Sequence, residues 1–442
     1  MAEHRIGAVV PAWNEVAAIG EVVSGLRRAG ACCVFVVDSG STDGTPENAA
    51  RAGARVVVEP RLGYGRACLA GAAAAAGHEL VAFLDGDGSC DPEELPLLAK
   101  AAAGADLVLG RRTRVEAGAL PWHAGLGNRL VAAALRARTG RPVHDLPPFK
   151  VVRGDLLEAL GLDAEGYGWT VQLIGRALAH PALRVVEAPV AFRRRRGGRS
   201  KVSGRLGPSV RAAGAMLAGA LEATRRRGLL VLMAKAPRPG HSKTRLAADL
   251  GPEAAASFWR ACLRDAGARV RECGTAAGLD VAAMTPSAED ALEVRHLTGL
   301  PALVQRTPGL GHALLEVSEL PAPVTIAVSA DAPTLPPERV LEAAAALRQA
   351  RAVLGPDGDG GYYLVGLRSG FPPRQLRSAY LEAPLGSESA LDHTRAALGQ
   401  PPMVGTCPDV DSASALDRLA RVLEANPSAS PALAGWLRER RY

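Results

Sequence analysis

Along the chain, short apolar runs alternate with longer segments in which apolar residues recur every three or four places. Ile6–Val10, Cys33–Val37, Arg55–Val58 and Leu80–Leu84 are such short runs. Between the first two lies Ala17–Ala29, with the period of a helix, and an alanine-rich helical segment precedes Leu80. The alternation restarts at Leu229–Ala234 and continues through Asp280–Met284, Val324–Ser329, Ala352–Leu354 and Tyr362–Gly366. Strands of this kind separated by helices predict a parallel α/β sheet covered on both faces. The restart predicts two Rossmann-like α/β units in tandem, 1–224 and 228–442, with the boundary near 222–228. A chain of 442 residues suits two cores better than one.

In such sheets ligands gather at the carboxyl ends of the strands, so the loops there carry the argument. Pro11-Ala12-Trp13-Asn14-Glu15 offers an aromatic face and a carboxylate for a base and a ribose. Asp38-Ser39-Gly40-Ser41-Thr42-Asp43-Gly44-Thr45 places two acids and small hydroxyls in one turn. Asp85-Gly86-Asp87 sets two carboxylates one residue apart, a pairing that holds Mg²⁺ or Mn²⁺ through hard oxygen ligands. Gly86 would let the backbone approach a diphosphate. Each loop alone is a common turn or helix cap; the ordered set of three is what points to a nucleotide and a metal.

Composition narrows the setting. Apolar residues make up 48% of the chain and charged residues 22%, as in soluble globular proteins. Seven cysteines without a CxxC pair or a Cys/His cluster argue against a zinc site and a disulfide framework, and favour a reducing cytoplasm. The first residues, MAEHRIGAVVPAWNE, reach charge and proline too early for a signal peptide. The longest apolar run considered, Ala212–Leu221, is about half a bilayer span. The net charge of +7 is uneven: Phe192–Leu221 holds eight Arg and Lys and no acid. By charge alone that run suits a solvated face, nucleic acid, anionic lipid or a diphosphate.

PAWNE, VDSGSTDGT and LDGDGSCDP resemble the signatures of family 2 glycosyltransferases with the GT-A fold. The resemblance continues in Gly110–Arg112, Leu126–Leu130, His144–Arg153, Tyr167–Gln172 and Val186–Gly204, segments similar to the dolichol-phosphate mannose synthase branch. It covers roughly residues 5–215. It implies that Pro11, Trp13, Asn14, Glu15, Asp38 and Asp43 bind the nucleotide of a nucleoside diphosphate sugar. Asp85 and Asp87 would hold metal and diphosphate, with Asp87 catalytic. Arg129, Arg199, Ser200 and Lys201 would bind phosphate oxygens of donor or acceptor, and inversion at the anomeric carbon is implied. Gln172 stands where relatives carry glutamate, and an amide there suits a phosphate acceptor that needs no general base. A polyprenyl-phosphate acceptor would also suit Arg205–Arg227 as a basic segment in peripheral contact with the inner membrane surface. Nucleic acid is not an expected partner.

In the second unit, Ala234–Leu246 (AKAPRPGHSKTRL) is a strand–loop–helix entry with four basic residues and no Walker pattern. Together with SADAPTL, GPDGDGGYYLVGL and DVDSASAL it resembles an uncharacterised bacterial family close in fold to nucleotidyltransferases such as 2-phospholactate guanylyltransferase. The resemblance implies that Lys235, Lys243 and Arg245 hold phosphates and that Asp331 and Asp411 share a metal. A nucleotidyltransferase supplying an activated substrate and a non-catalytic nucleotide-binding or scaffold unit both remain open. Asp-Gly-Asp-Gly occurs twice, at 85–88 and 357–360. The fold-level counterpart of Asp85 is nevertheless expected at Asp331, with Asp357–Gly360 shaping a pocket one strand later.

Overall fold

A computed structural model of the protein describes residues 5–197, 206–410 and 412–440. The chain forms two compact units, Met1–Arg225 and Arg226–Tyr442. The first contains β1 (Ile6–Ala12), β2 (Cys33–Asp38), β3 (Arg55–Val58), β4 (Leu80–Phe83), β5 (Leu107–Val115), β6 (Lys150–Arg153) and β7 (Val185–Phe192). They form one sheet in the order β3-β2-β1-β4-β6-β5-β7. Residues alternate across it. Ala8, Val10, Val34 and Val36 pack with the helix Ile19–Arg28, while Val9, Phe35, Val37 and Phe83 pack on the other side with the helices Tyr64–Ala74 and Gly168–Ala179. Burial on both faces explains why these strands read as continuous apolar runs.

The sheet is not wholly parallel as expected. β6 runs antiparallel to both of its neighbours, β4 and β5. A parallel neighbour needs a crossover that returns the chain to the far end of the sheet. The β5–β6 connection, which contains the helix Trp122–Thr139, stays at the carboxyl end of β5, so β6 enters from there.

The second unit contains β8 (Leu229–Met233), β9 (Asp280–Thr285), β10 (Ala302–Val304), β11 (Val324–Ser329), β12 (Ala352–Pro356) and β13 (Tyr362–Arg368). Their order is β10-β9-β8-β11-β13-β12, with β13 antiparallel to β11 and β12. Strand by strand this repeats the first unit without β7. β11 therefore corresponds to β4, which makes Asp331 the positional counterpart of Asp85. The β12–β13 turn, Asp357–Gly361, corresponds to the long β5–β6 connection. Gly360 there has φ +89°, and a Cβ on it would fall 2.1 Å from the Glu388 carbonyl oxygen, so the turn needs glycine.

Candidate functional site

The first two strand-end loops of the first unit are tied to each other. The Asn14 amide donates to the Ser41 hydroxyl at 2.8 Å, and Asn14 Oδ1 accepts from the Thr42 amide at 2.9 Å. The Glu15 amide donates to Thr45 Oγ1 at 2.8 Å. Asp43 accepts from the Val16 amide on one oxygen and from the Thr45 amide and hydroxyl on the other. Burial alone would raise its carboxyl, but the Thr45 hydroxyl and these amides outweigh it and hold it below the ordinary value. Asn14 and Asp43, expected as nucleotide ligands, are placed to brace the loop. Asp38 differs: Oδ2 accepts from the Gly40 and Ser41 amides, while Oδ1 is buried with no hydrogen-bond partner.

Asp85 stands two residues past the end of β4, and its Oδ1 is likewise buried without a partner. Burial, and then the Asp87 charge, push its carboxyl up to about 6, partly offset by the Lys150 ammonium, the Tyr64 hydroxyl and Arg112. Lys150 is wholly buried, donates to Thr170 Oγ1 at 3.2 Å and lies 5.3 Å from the centre of the Trp169 ring. Burial lowers its ammonium, and the Cys68 and Asp85 charges oppose that. Asp87 Oδ1 accepts from the Ser89 amide at 2.9 Å. Gly86 lines the site, and a Cβ there would also meet Ile19 Cδ1 at 3.2 Å and the Pro11 carbonyl at 3.3 Å.

The arginine run after β7 lies along this loop. The Arg193 amide donates to the Ser89 carbonyl and the Arg196 amide to the Asp87 carbonyl. Each of its four arginines meets an acid: Arg193 with Asp91, Arg194 with Glu116, Arg195 with Glu15 and Arg196 with Glu21. Arg193, Arg194 and Arg196 nevertheless keep 52%, 64% and 48% of their side-chain surface exposed, and only Arg195, at 22%, is drawn into the site. Arg195 lies 2.6 Å from Glu15 and 3.9 Å from Asp87, joining the first and third loops. Arg199, Ser200 and Lys201 lie outside the described residues.

Two cavities meet at these carboxylates. One, of about 430 Å³, is lined by Pro11, Trp13, Glu15, Ser39 and Leu62. The other, of about 520 Å³, is lined by Arg112, Leu120, Pro121, Leu146, Phe192 and Met216. Tyr64, Asp85, Asp87, Tyr167 and Arg195 belong to both. Tyr64 and Tyr167 stack at 5.9 Å between ring centres. Arg112 donates through Nε to Asp145 Oδ2 at 2.7 Å and through its terminal nitrogen to Oδ1, in a largely buried pair.

Two residues that the resemblance places at the reaction site, Gln172 and Arg129, are not brought to either cavity. Gln172 Oε1 accepts from the Asp163 and Ala164 amides, both at 3.0 Å, and its amide nitrogen donates to the Asp163 carboxylate. It braces a helix against the preceding loop, while Thr170 and Val171 line the cavity. Arg129 is exposed, whereas its neighbour Asn128 lines the wall. Successive helical residues point about 100° apart, so only one of the two can face the cavity.

In the second unit, Lys243 Nζ lies 2.6 Å from Asp331 Oδ1 and also donates to the Val410 carbonyl. Its side chain is 6% exposed, so the expected phosphate ligand is an interior cation bound to the expected metal ligand. Lys235 and Arg245 are exposed and share with Lys243 a cavity of about 180 Å³. A larger one, of about 1440 Å³, is lined by Arg245, Asp331, Asp357, Asp359, Tyr362 and Asp409, among others. Asp357–Gly360 therefore does line a pocket. Asp411 lies outside the described residues.

Residues 8–161 match the family model "Glycosyl transferase family 2". A chain of Mycobacterium bovis named an uncharacterized glycosyltransferase is 43% identical over 211 residues, covering 48% of this chain and 95% of the relative. The chain belongs to glycosyltransferase family 2. Two further relatives resemble it over the same half. An undecaprenyl-phosphate mannosyltransferase of Micrococcus luteus is 33% identical over 219 residues, 45% of this chain and 88% of that one. A polyprenol monophosphomannose synthase of Mycolicibacterium smegmatis is 34% identical over 222 residues, 46% and 82% respectively. This family 2 glycosyltransferase carries a second match, over residues 269–382, to "Uncharacterized protein conserved in bacteria (DUF2064)".

Proposed function

We propose that the first unit transfers a sugar from a nucleoside diphosphate sugar to a polyprenyl phosphate, with Mg²⁺ or Mn²⁺. One observation carries this reading: two cavities share one wall at Asp85, Asp87, Tyr64, Tyr167 and Arg195, so that two ligands can meet at the carboxylates. The smaller has Trp13, Glu15 and Ser39 in its lining and Asp38 at the adjoining strand end, and suits a base and a ribose. The larger combines Leu120, Leu146, Phe192 and Met216 with arginines, and suits an apolar chain ending in phosphate. Two of the relatives are named for undecaprenyl phosphate and polyprenol monophosphate, which supports the same acceptor class.

The carboxylates fit a divalent cation. Asp85 presents a buried oxygen with no protein partner beside a second carboxylate, an arrangement costly without a positive charge. Among the described residues no group of three or more His, Cys, Asp or Glu forms a closed cage, so Asp85 and Asp87 would hold the ion together with oxygens of the donor. Bound there, it would stabilise the negative charge of the departing nucleoside diphosphate. Arg195 positions Glu15 and Asp87 across the site. Lys150, beneath Asp85, keeps the carboxylate from protonating further. The acceptor phosphate is already anionic and attacks the anomeric carbon from the face opposite the leaving group, with inversion. No base is required, in keeping with the bracing position of Gln172.

Membrane contact fits this acceptor. Among the described residues no helix is long and apolar enough to cross a bilayer. The helix Trp122–Thr139 nevertheless exposes Trp122, Leu126 and Leu130 at every fourth place, beside the exposed Arg129. An apolar stripe with a basic flank suits the interface of an anionic bilayer. We expect undecaprenyl phosphate to stimulate release of nucleoside diphosphate at least ~100-fold over undecaprenol, because only the phosphate supplies an ionised nucleophile at neutral pH. Equal stimulation by both lipids, followed by a coupled assay, would remove the phosphate acceptor from the proposal.

A further inference from the structure

A sugar can pass from a ligand in one cavity of the first unit to a ligand in the other only at the wall the two share. That wall consists of Asp85, Asp87 and Arg195, which are charged, and of Tyr64 and Tyr167, which offer aromatic faces. The charged side chains suit the diphosphate and its cation. The tyrosines suit the part of the donor that carries no charge, the sugar.

The pairing of the two rings is built into the backbone. Tyr64 opens its helix between Gly63 and Gly65, and the turn 164–167 lies directly on that start. A Cβ on Gly63 would fall 2.6 Å from the Glu165 carbonyl oxygen, and one on Gly65 2.0 Å from the Ala164 carbonyl oxygen, so the approach needs glycine at both places. The Arg66 amide donates to the Glu165 carbonyl at 3.0 Å, and the Arg66 side chain pairs with the Glu165 carboxylate. Held by this contact, the rings of Tyr64 and Tyr167 lie 19° from parallel in an offset stack. Tyr64 backs Tyr167, which stays 41% exposed. A rigid aromatic side chain with open surface in a cavity wall is what a ligand packs against.

We infer that Tyr167 is the platform on which the donor's sugar lies, its ring face against the C–H face of the sugar. This rests on the proposed nucleoside diphosphate sugar but not on the lipid acceptor. In the transfer an acceptor oxygen forms a bond to the anomeric carbon while the bond from that carbon to the diphosphate oxygen breaks, and its electron pair leaves with the nucleoside diphosphate. Positive charge builds on the sugar ring as that bond stretches. The face of an aromatic ring is electron-rich and attracts such charge, so Tyr167 holds the sugar in the ground state and more strongly in the transition state.

The test uses the full chain with Mn²⁺ and three donors as probes, UDP-glucose, GDP-mannose and dTDP-glucose, each paired with its sugar-free diphosphate. Tyr167→Leu keeps an apolar side chain and removes the aromatic face, whereas Tyr167→Phe keeps the face and removes the hydroxyl. By calorimetry, Tyr167→Leu should bind a nucleotide sugar about tenfold more weakly than the unaltered chain, with the sugar-free diphosphate changed by less than about twofold, the scale of one desolvated aromatic contact. Retained diphosphate binding also reports that the variant is folded. Tyr167→Phe should bind both ligands like the unaltered chain. Release of nucleoside diphosphate to water at saturating donor should fall in Tyr167→Leu and return in Tyr167→Phe. Equal weakening of diphosphate and nucleotide sugar would make Tyr167 a structural residue and overturn the inference. So would nucleotide-sugar binding left unchanged in Tyr167→Leu, or a loss in Tyr167→Phe as large as in Tyr167→Leu. If none of the nucleotide sugars binds the unaltered chain, the proposed donor falls and the inference with it, an outcome visible before any variant is compared.

Discussion

Asp85→Ala in the full chain is expected to lower sugar transfer by about 10²–10³-fold, the range seen when one preorganised charge-stabilising group is removed. Nucleotide-sugar binding should lose its dependence on Mn²⁺ in the same variant, because Asp85 contributes the buried oxygen that has no other partner. The pH dependence has a definite sign. Burial, and then the Asp87 charge, push the Asp85 carboxyl up to about 6, and a cation needs the ionised form. Lowering the pH through that value returns a proton that competes with the metal. At one pH unit below it only about a tenth of the carboxyl is ionised, so Mn²⁺ should bind roughly tenfold more weakly at pH 5 than at pH 7. Calorimetric titration of Mn²⁺ at the two pH values checks this. An affinity that rises on acidification, or Mn²⁺-dependent donor binding retained in Asp85→Ala, would remove Asp85 from the metal site.

The second large effect is on stability. Arg112 and Asp145 form a two-pronged ion pair with side-chain exposures of 6% and 14%, and Arg112 lies 5.0 Å from the centre of the Phe192 ring. Burial alone would raise the Asp145 carboxyl, but the Arg112 hydrogen bonds and charge hold it below the usual carboxylate range. Removing one partner leaves the other charged and desolvated, so Arg112→Met should cost about 3–5 kcal/mol. Arg112→Met with Asp145→Leu should recover much of that loss, because no charge is then left buried. Denaturant unfolding of the single and double variants measures both values. A double variant no more stable than Arg112→Met would show that the pair contributes through its shape rather than its charge.

β1 to β4, β8, β9 and β11 to β13 were legible as apolar runs, and Arg55–Val58 and Val324–Ser329 fall at the expected bounds, whereas β5, β7 and β10 were not read as strands. β6 was not legible as an antiparallel insertion. It is four residues long with a basic residue at each end, and nothing in Lys150–Arg153 encodes its direction. The acid loops were legible by order and spacing, but the division of labour within them was not. Whether a carboxylate meets a ligand or braces a turn depends on which amides fold back onto it, as at Asp43. Lys150 carried a usable signal, a lysine between Phe149 and Val151 in an apolar run. Arg195 carried none, since its neighbours are identical and only the path after β7 selects it. Gln172 and Arg129 stood in motifs read from resemblance, and their helices turn them away from the cavities. The Lys243–Asp331 pair joins residues 88 positions apart and could be seen only once β8 and β11 were adjacent.

The proposed product of the first unit is covalent, a bond between a sugar and a lipid phosphate. The most direct measurement incubates the full chain with radiolabelled nucleoside diphosphate sugars, Mn²⁺ and undecaprenyl phosphate in anionic vesicles, then follows label into the organic phase. A lipid-extractable product is expected that mild acid cleaves as a sugar phosphate ester, with the anomeric configuration opposite to the donor's, absent without Mn²⁺ and in Asp85→Ala. Label that stays wholly in the aqueous phase across the common donors, or that appears equally with undecaprenol, would contradict it.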